Sequence, residues 1–75
     1  MIFVNNDTVM GSNIRYLRQK SGISLQDFAR RMNIDPDILD SIETGKLLEI
    51  EGQVLLDICD FFSTDAQTLV EKICE

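Results

Sequence analysis

No histidine occurs at any of the 75 positions of the chain. Its absence removes the side chain that most often acts as a general base near neutral pH and the commonest metal ligand. Every Ser/His or Cys/His constellation goes with it. There is also no HExxH, no CxxC and no glycine-rich phosphate loop. Paired carboxylates such as Asp37 and Asp40 remain, but without a cleft such a pair reads as a solvated helix face. Neither an enzyme nor a cofactor or metal site is expected. One proline and four glycines are too few for a disordered or fibrous chain, and an apolar share of 44% is that of a globular one. The two cysteines, Cys59 and Cys74, could pair in principle. With no secretory segment ahead of them, they read instead as free buried thiols, behaving as small hydrophobes in a reducing compartment. The opening MIFVNNDTVM is too short and polar to span a membrane and lacks the basic start of a signal peptide. A cytoplasmic protein without a membrane segment is expected.

Positive charge is scarce and unevenly placed. Seven Lys and Arg face 13 Asp and Glu, a net charge of -6. Residues 1–31 carry five basic side chains against Asp7 and Asp27, whereas residues 32–75 carry Lys46 and Lys72 against eleven acids. The second half therefore repels polyanions, and any nucleic-acid footprint must be local. The length allows one domain, 1–75, near the lower limit at which a single apolar core supports a fold without disulfides or metal. No repeat or linker divides it.

What is present is a string of short helical patterns. Met10, Ile14 and Leu17 recur at helical spacing after a cap at Asp7 or Thr8, and Ser21-Gly22 ends that helix. Ser24 with Asp27 three residues on resembles a capping box for a second helix bearing Phe28, Ala29 and Met32, stopped by a left-handed Asn33. Asp35 caps a third, with Pro36 at its first position, where a missing N–H is harmless. Gly45 closes it, and KLLEIE links it to a fourth helix with Val54, Leu55, Ile58, Cys59 and Phe62 on one stripe. Asp65 caps a short last helix that buries Leu69, Val70 and Ile73. The first seven residues form an extension in which IFV has strand propensity and Asn5-Asn6 offers a turn. The expected core joins Leu17, Phe28, Ala29, Leu39, Ile42, Leu55, Ile58 and Phe62. The IFV and KLLEI segments are hard to bury in so small a domain, so a contact with a second copy is expected from one or both.

The tight MNID turn, small Ala29 at a helix crossing and apolar Ile34, Leu39 and Ile42 are what a helix-turn-helix over 24–44 requires. The run IRYLRQKSGISLQDFARRMNIDPDILDSIETGK resembles the lambda-repressor-like, XRE-type helix-turn-helix domains, and LLDICDFFSTDAQTL resembles their fourth and fifth helices. The resemblance implies an all-α domain of five helices with a short extension, a DNA-binding transcriptional regulator as its function, and Pro36 to Thr44 as the recognition helix. Pro36, Asp37, Ile38 and Ser41 would then approach base edges. Arg15, Arg18, Lys20, Gln26, Thr44 and Lys46 would meet phosphates of double-stranded DNA, and Arg18 with Glu43 matches positions that form an internal ion pair. A homodimer follows, since one such domain covers one half-site.

The chain departs from that pattern where chemistry matters most. Major-groove readers use Arg, Lys, Asn or Gln on base edges, whereas this helix offers Asp37, Asp40 and Ser41. The family's phosphate-touching glutamine at the start of helix two is replaced by Leu25, with Gln26 one place later. The competing expectation is therefore a helix-turn-helix fold used as a protein-interaction module, an antirepressor or assembly partner, without DNA binding.

Overall fold

A computed structural model describes residues 3–5, 8–47 and 49–70. Among them β1 (Phe3–Asn5), α1 (Thr8–Lys20), α2 (Leu25–Met32), α3 (Pro36–Glu43), β2 (Glu49–Glu51), α4 (Gly52–Phe61) and α5 (Ala66–Val70) follow in order. The helices start and stop where local hydrogen bonding dictates. The Ser24 hydroxyl accepts the Asp27 N–H, and the Asp35 side chain accepts the Asp37 N–H, so both helices of the central pair carry side-chain N-caps. Three helices end in the same way, on a residue with left-handed backbone. These are Gly22 (φ 75°), Asn33 (φ 58°) and Ser63 (φ 53°) after α1, α2 and α4. In each, the next residue's N–H reaches back five positions: Ile23 to Arg18, Ile34 to Ala29 and Thr64 to Cys59. That bond satisfies carbonyls that the helix leaves open.

The strand propensity read at the N-terminal segment is borne out by β1, whereas β2 corrects the reading of KLLEIE. The sequence lets Asn5-Asn6 turn IFV back on itself and treats KLLEIE as a link. Instead β1 pairs antiparallel with β2, Val4 opposite Ile50. Burial explains the pairing: Ile50, at the centre of β2, is buried in the core, flanked by exposed Glu49 and half-buried Glu51, the period-two pattern of a strand with one wet face. The strand-forming segments thus find partners within the chain, and half-buried Leu47 also packs on the core, so burial does not require a second copy here. Residues 1, 2 and 48 lie outside the described residues.

Met10, Ile14, Phe28, Ala29, Leu39, Ile42, Ile50, Leu55, Ile58 and Leu69 are buried together. Leu17 and Phe62, expected inside, are half-buried at the margin of this core. Phe62 nevertheless completes a three-ring cluster with Phe28 and Phe61, centroids 5.1 to 5.2 Å apart, which holds α2 to α4. Val70 and Ile73, read as buried, have side chains outside the described set. Burial, and secondarily the negative charge of Asp65, push the Cys59 thiol above its ordinary pKa. It is protonated and unreactive at neutral pH; Cys74 is not among the described residues.

One contact sets the distance between α1 and α3. A Cβ at Gly11 would stand 2.3 Å from the Ile42 carbonyl oxygen and 2.8 Å from that of Glu43. Both obstacles are backbone, so no side chain can swing away. Gly11→Ala is expected to cost about 1–3 kcal/mol, the usual penalty for overpacking, and to push α1 off α3. Urea unfolding measures the first effect; chemical shifts of Ile42 and Glu43 amides report the second.

The last helix carries a pH dependence. The Thr68 N–H donates to the Asp65 carboxylate at 2.8 Å, and hydrogen bonds from Thr68 lower the Asp65 pKa. A folded value below the unfolded one gives stability that is present above about pH 4, the ordinary aspartate value, and lost as pH falls through the lower folded value. Hydrogen-exchange protection of the α5 amides is expected to decline over that acid window. Asp65→Asn should show weaker protection at neutral pH and no such decline.

Candidate nucleic-acid interface

The α2–α3 unit is positioned from behind by α1. Arg18 lies in the domain interior and is 9% exposed. Its Nε donates to Glu43 Oε2 at 2.8 Å, its Nη2 to Glu43 Oε1 at 3.1 Å and its Nη1 to the Ile23 carbonyl at 2.8 Å. One guanidinium therefore ties α1, the loop into α2, and the last turn of α3. The planar fork of arginine fits this geometry and an ammonium would not. Its positive charge also lies at the negative end of α3, offsetting the unfavourable placing of Glu43 there. Arg18 is an interior brace, and it does not meet phosphates: the guanidinium expected to flank a DNA strand is enclosed and engaged on three sides.

A second brace comes from Asn13. Its side-chain Nδ2 donates to the Leu69 carbonyl at 2.8 Å within the core, joining α1 to α5. Neither Gly11 nor Asn13 was singled out by sequence reasoning. A glycine and an asparagine inside a helical pattern are the available signals, since each lowers helix propensity and so suggests a tertiary role.

These contacts divide the basic side chains of α1. Arg15 is exposed one turn from both Gly11 and Arg18, on the edge that meets α3. Lys20 follows the Asn13 side, where α5 packs, with its ammonium 5.8 Å from the Tyr16 ring centroid. Five positions on a helix turn through about 140°, so Arg15 and Lys20 do not serve one surface. Arg30 and Arg31 are partly neutralised by Asp27, with which both form exposed ion pairs; such pairs hold little energy but reduce the local positive field.

The outward stripe of α3 consists of Asp37, Asp40, Ser41 and Thr44, spaced three or four residues apart, with Leu39, Ile42 and Glu43 on the buried side. Pro36 is exposed at the start of the helix. Ile38, 49% exposed, stands off this stripe and turns toward Ile34, Leu47 and Val54. The Ser41 hydroxyl donates to the Asp37 carbonyl at 3.0 Å and that of Thr44 to the Asp40 carbonyl at 2.9 Å. Both hydroxyls keep lone pairs for a base-edge donor, but must rotate before donating to a phosphate.

The two helix N-termini differ as anion sites. At α3 the Pro36 nitrogen has no hydrogen, the Asp37 N–H is taken by Asp35, and two carboxylates stand at the entrance, so the positive end of the dipole is already satisfied. At α2 the cap is the neutral Ser24, and the first-turn N–H groups of Leu25 and Gln26 have no intrahelical acceptor. Exposed Gln26 on α2, Thr44 and Lys46 at the far end of α3, and Arg15 are the donors and cations the fold leaves on or beside this face.

An α2–α3 pair packed on α1 and α4, with α5 against those two in turn, defines a helix-turn-helix domain of the five-helix type. The chain belongs to the Cro/C1-type HTH DNA-binding domain family, whose model matches residues 13–75. Solved structures agree on the fold. The clp gene regulator ClgR from C. glutamicum aligns with a TM-score of 0.75 and 21% identity, over 84% of this chain and 80% of its own. SinR, the master regulator for biofilm formation, solved in complex with DNA, gives 0.75 and 24% over 83% and 98%. The BldD DNA-binding domain of S. venezulae gives 0.71 and 23% over 85% and 94%. A comparison with curated proteins returned no match. Among the described residues no helix is long and apolar enough to cross a membrane.

The Arg18–Glu43 brace predicts an asymmetry. Arg18→Ala strands a carboxylate whose side chain is 3% exposed and is expected to cost about 3–5 kcal/mol. The double change Arg18→Met, Glu43→Leu removes both charges and is expected to recover most of that loss. Urea unfolding of the two variants beside the parent compares them directly; equal losses would show that the pair's charge is not what matters.

Proposed function

We propose that the protein is a DNA-binding transcriptional regulator of the XRE type, acting in the cytoplasm as a homodimer and reading DNA through a recognition helix of atypical acidity. The observation that carries this reading is the braced helix-turn-helix: a buried bidentate ion pair and a side-chain-free approach at Gly11 hold α3 at a fixed angle, in a chain belonging to a DNA-binding domain family. The SinR fold neighbour was solved with DNA, which supports carrying the docking mode over. What supports the dimer is a general rule: one such unit covers one half-site, and operators of this class repeat it about one helical turn away.

In this reading Arg15, Gln26, Thr44 and Lys46 meet phosphates, with the α2 N-terminus. Asp37 and Ser41 approach base edges, Pro36 and Ile38 offer apolar contact at the margins, and Asp40 adds a second carboxylate to the stripe. A carboxylate accepts a hydrogen bond from cytosine N4, whereas every phosphate and every base-edge acceptor repels it. Asp37 and Asp40 therefore act as filters that penalise wrong sites rather than as sources of affinity. Binding is weak and depends steeply on salt through the few cations present.

Electrophoretic mobility shifts against genomic fragments at low salt test this. Asp37→Asn with Asp40→Asn is expected to tighten binding across many sequences. Lys46→Ala and Arg15→Ala should each weaken all complexes about equally, lowering the salt slope by roughly one unit for each phosphate no longer neutralised. Lys20→Ala should change neither. If the parent and the double asparagine variant both failed to shift any DNA, the protein-interaction reading would replace this one.

A further inference from the structure

Beside the reading stripe, between α3 and the β2–α4 junction, runs an open groove of about 420 Å³. Ile34, Ile38, Leu47 and Val54 supply its apolar wall. Ile38 is half-exposed to solvent, although a neighbour of this size usually closes over such a chain in a finished core. The rim carries Asp35, Glu49 and Glu51, and no lysine or arginine is among the described residues that line it. Asp37 lies just beyond, on the first turn of α3. An apolar trough edged by carboxylates excludes a nucleic-acid strand on charge and an acidic peptide for the same reason. It complements a chain that brings apolar side chains on one face and positive charge on either side.

We infer that this groove is a docking site for a cationic amphipathic segment of a protein partner. Two or three large apolar side chains of that segment seat against Ile38, Leu47 and Val54, and flanking lysines or arginines meet Asp35, Glu49 and Glu51. The apolar contacts supply affinity, and the acidic rim supplies selectivity and salt dependence, as in other helix-in-groove recognition. The site shares Ile38 alone with the proposed DNA contacts: its acids lie off the outward stripe, and its assay contains no nucleic acid.

The test uses the full chain and a labelled synthetic peptide with leucines at helical spacing and lysines between them. Fluorescence anisotropy at low ionic strength is expected to show binding to the parent, about tenfold weaker to Ile38→Ser and to Glu49→Lys. A matched peptide with glutamates in place of lysines, and another with serines in place of leucines, should not bind the parent. Both substituted residues are solvent-exposed, and the circular dichroism of each variant checks that it has folded. Equal binding to the parent and both variants would reduce the effect to attraction by the net negative charge and overturn the site. Absence of binding to the parent would overturn it too. So would sedimentation showing that the chain self-associates through this face, with Ile38→Ser restoring the monomer, since the occupant would then be a second copy.

Discussion

A buried guanidinium–carboxylate pair sits where α1, the loop that follows it and α3 come together, and the geometry of the outward face depends on it. Arg18 and Glu43 are both removed from water, and the desolvation of two charges cancels most of their attraction. Their value lies in direction. A bidentate fork is satisfied in one relative placement of its two planes, and the third bond, to the Ile23 carbonyl, places the entrance to α2 in the same frame. An apolar pair of equal volume would fill the space while allowing α3 to roll. Gly11 limits the remaining freedom by letting the backbone of α1 rest against the last carbonyls of α3. Distance is fixed by a missing side chain and angle by a charged one.

The same helix end shows how electrostatics is distributed through the domain. Positive charge is directed inward at Arg18 and is partly cancelled by Asp27 at Arg30 and Arg31. Only a few cations are left for a polyanion. With a net charge of -6, the long-range field does not favour a polyanion, so affinity for one rests on short-range contacts. The two helix N-termini carry this imbalance too: α2 is capped by a neutral serine with Asp27 in its first turn, whereas α3 has Asp35 as its cap and Asp37 behind it.

Local features were legible in the sequence because local chemistry produces them. Ser24 with Asp27, Asn33, and Asp35 with Pro36 mark the ends of α2 and α3 through bonds that span two to five residues, and family resemblance supplied the arrangement of the five helices. Long-range features were not legible. Nothing in Phe3–Asn5 identifies Glu49–Glu51 as its partner, since strands of three residues carry little register information and the pairing depends on Ile50 reaching a core built by other elements. Nor could the sequence separate Arg15 from Lys20. Both are polar positions on one helix, and only the azimuth at which α1 docks, set by Gly11 and Asn13, decides that the first borders α3 and the second follows α5. Arg18 shows the limit most clearly, because resemblance offered it two roles and burial leaves room for one.

Eight residues of α3 meet three environments, which follows from the small size of the domain. Leu39, Ile42 and Glu43 face inward, Pro36, Asp37, Asp40 and Ser41 face outward, and Ile38 falls between them. At 3.6 residues per turn, a side chain at that intermediate angle can be neither fully buried nor fully solvated unless another element covers it. A larger domain would place a further helix there. Here β2 and the start of α4 approach but leave the groove open, and the carboxylates of Asp35, Glu49 and Glu51 keep its edge hydrated. An uncovered isoleucine on the flank of an acidic helix is tolerable in a free protein because that hydrated rim disfavours association with most other surfaces. The carboxylates around α3 thereby protect its apolar flank, while suiting it to the partner inferred above, which neutralises the acids as it covers the isoleucine.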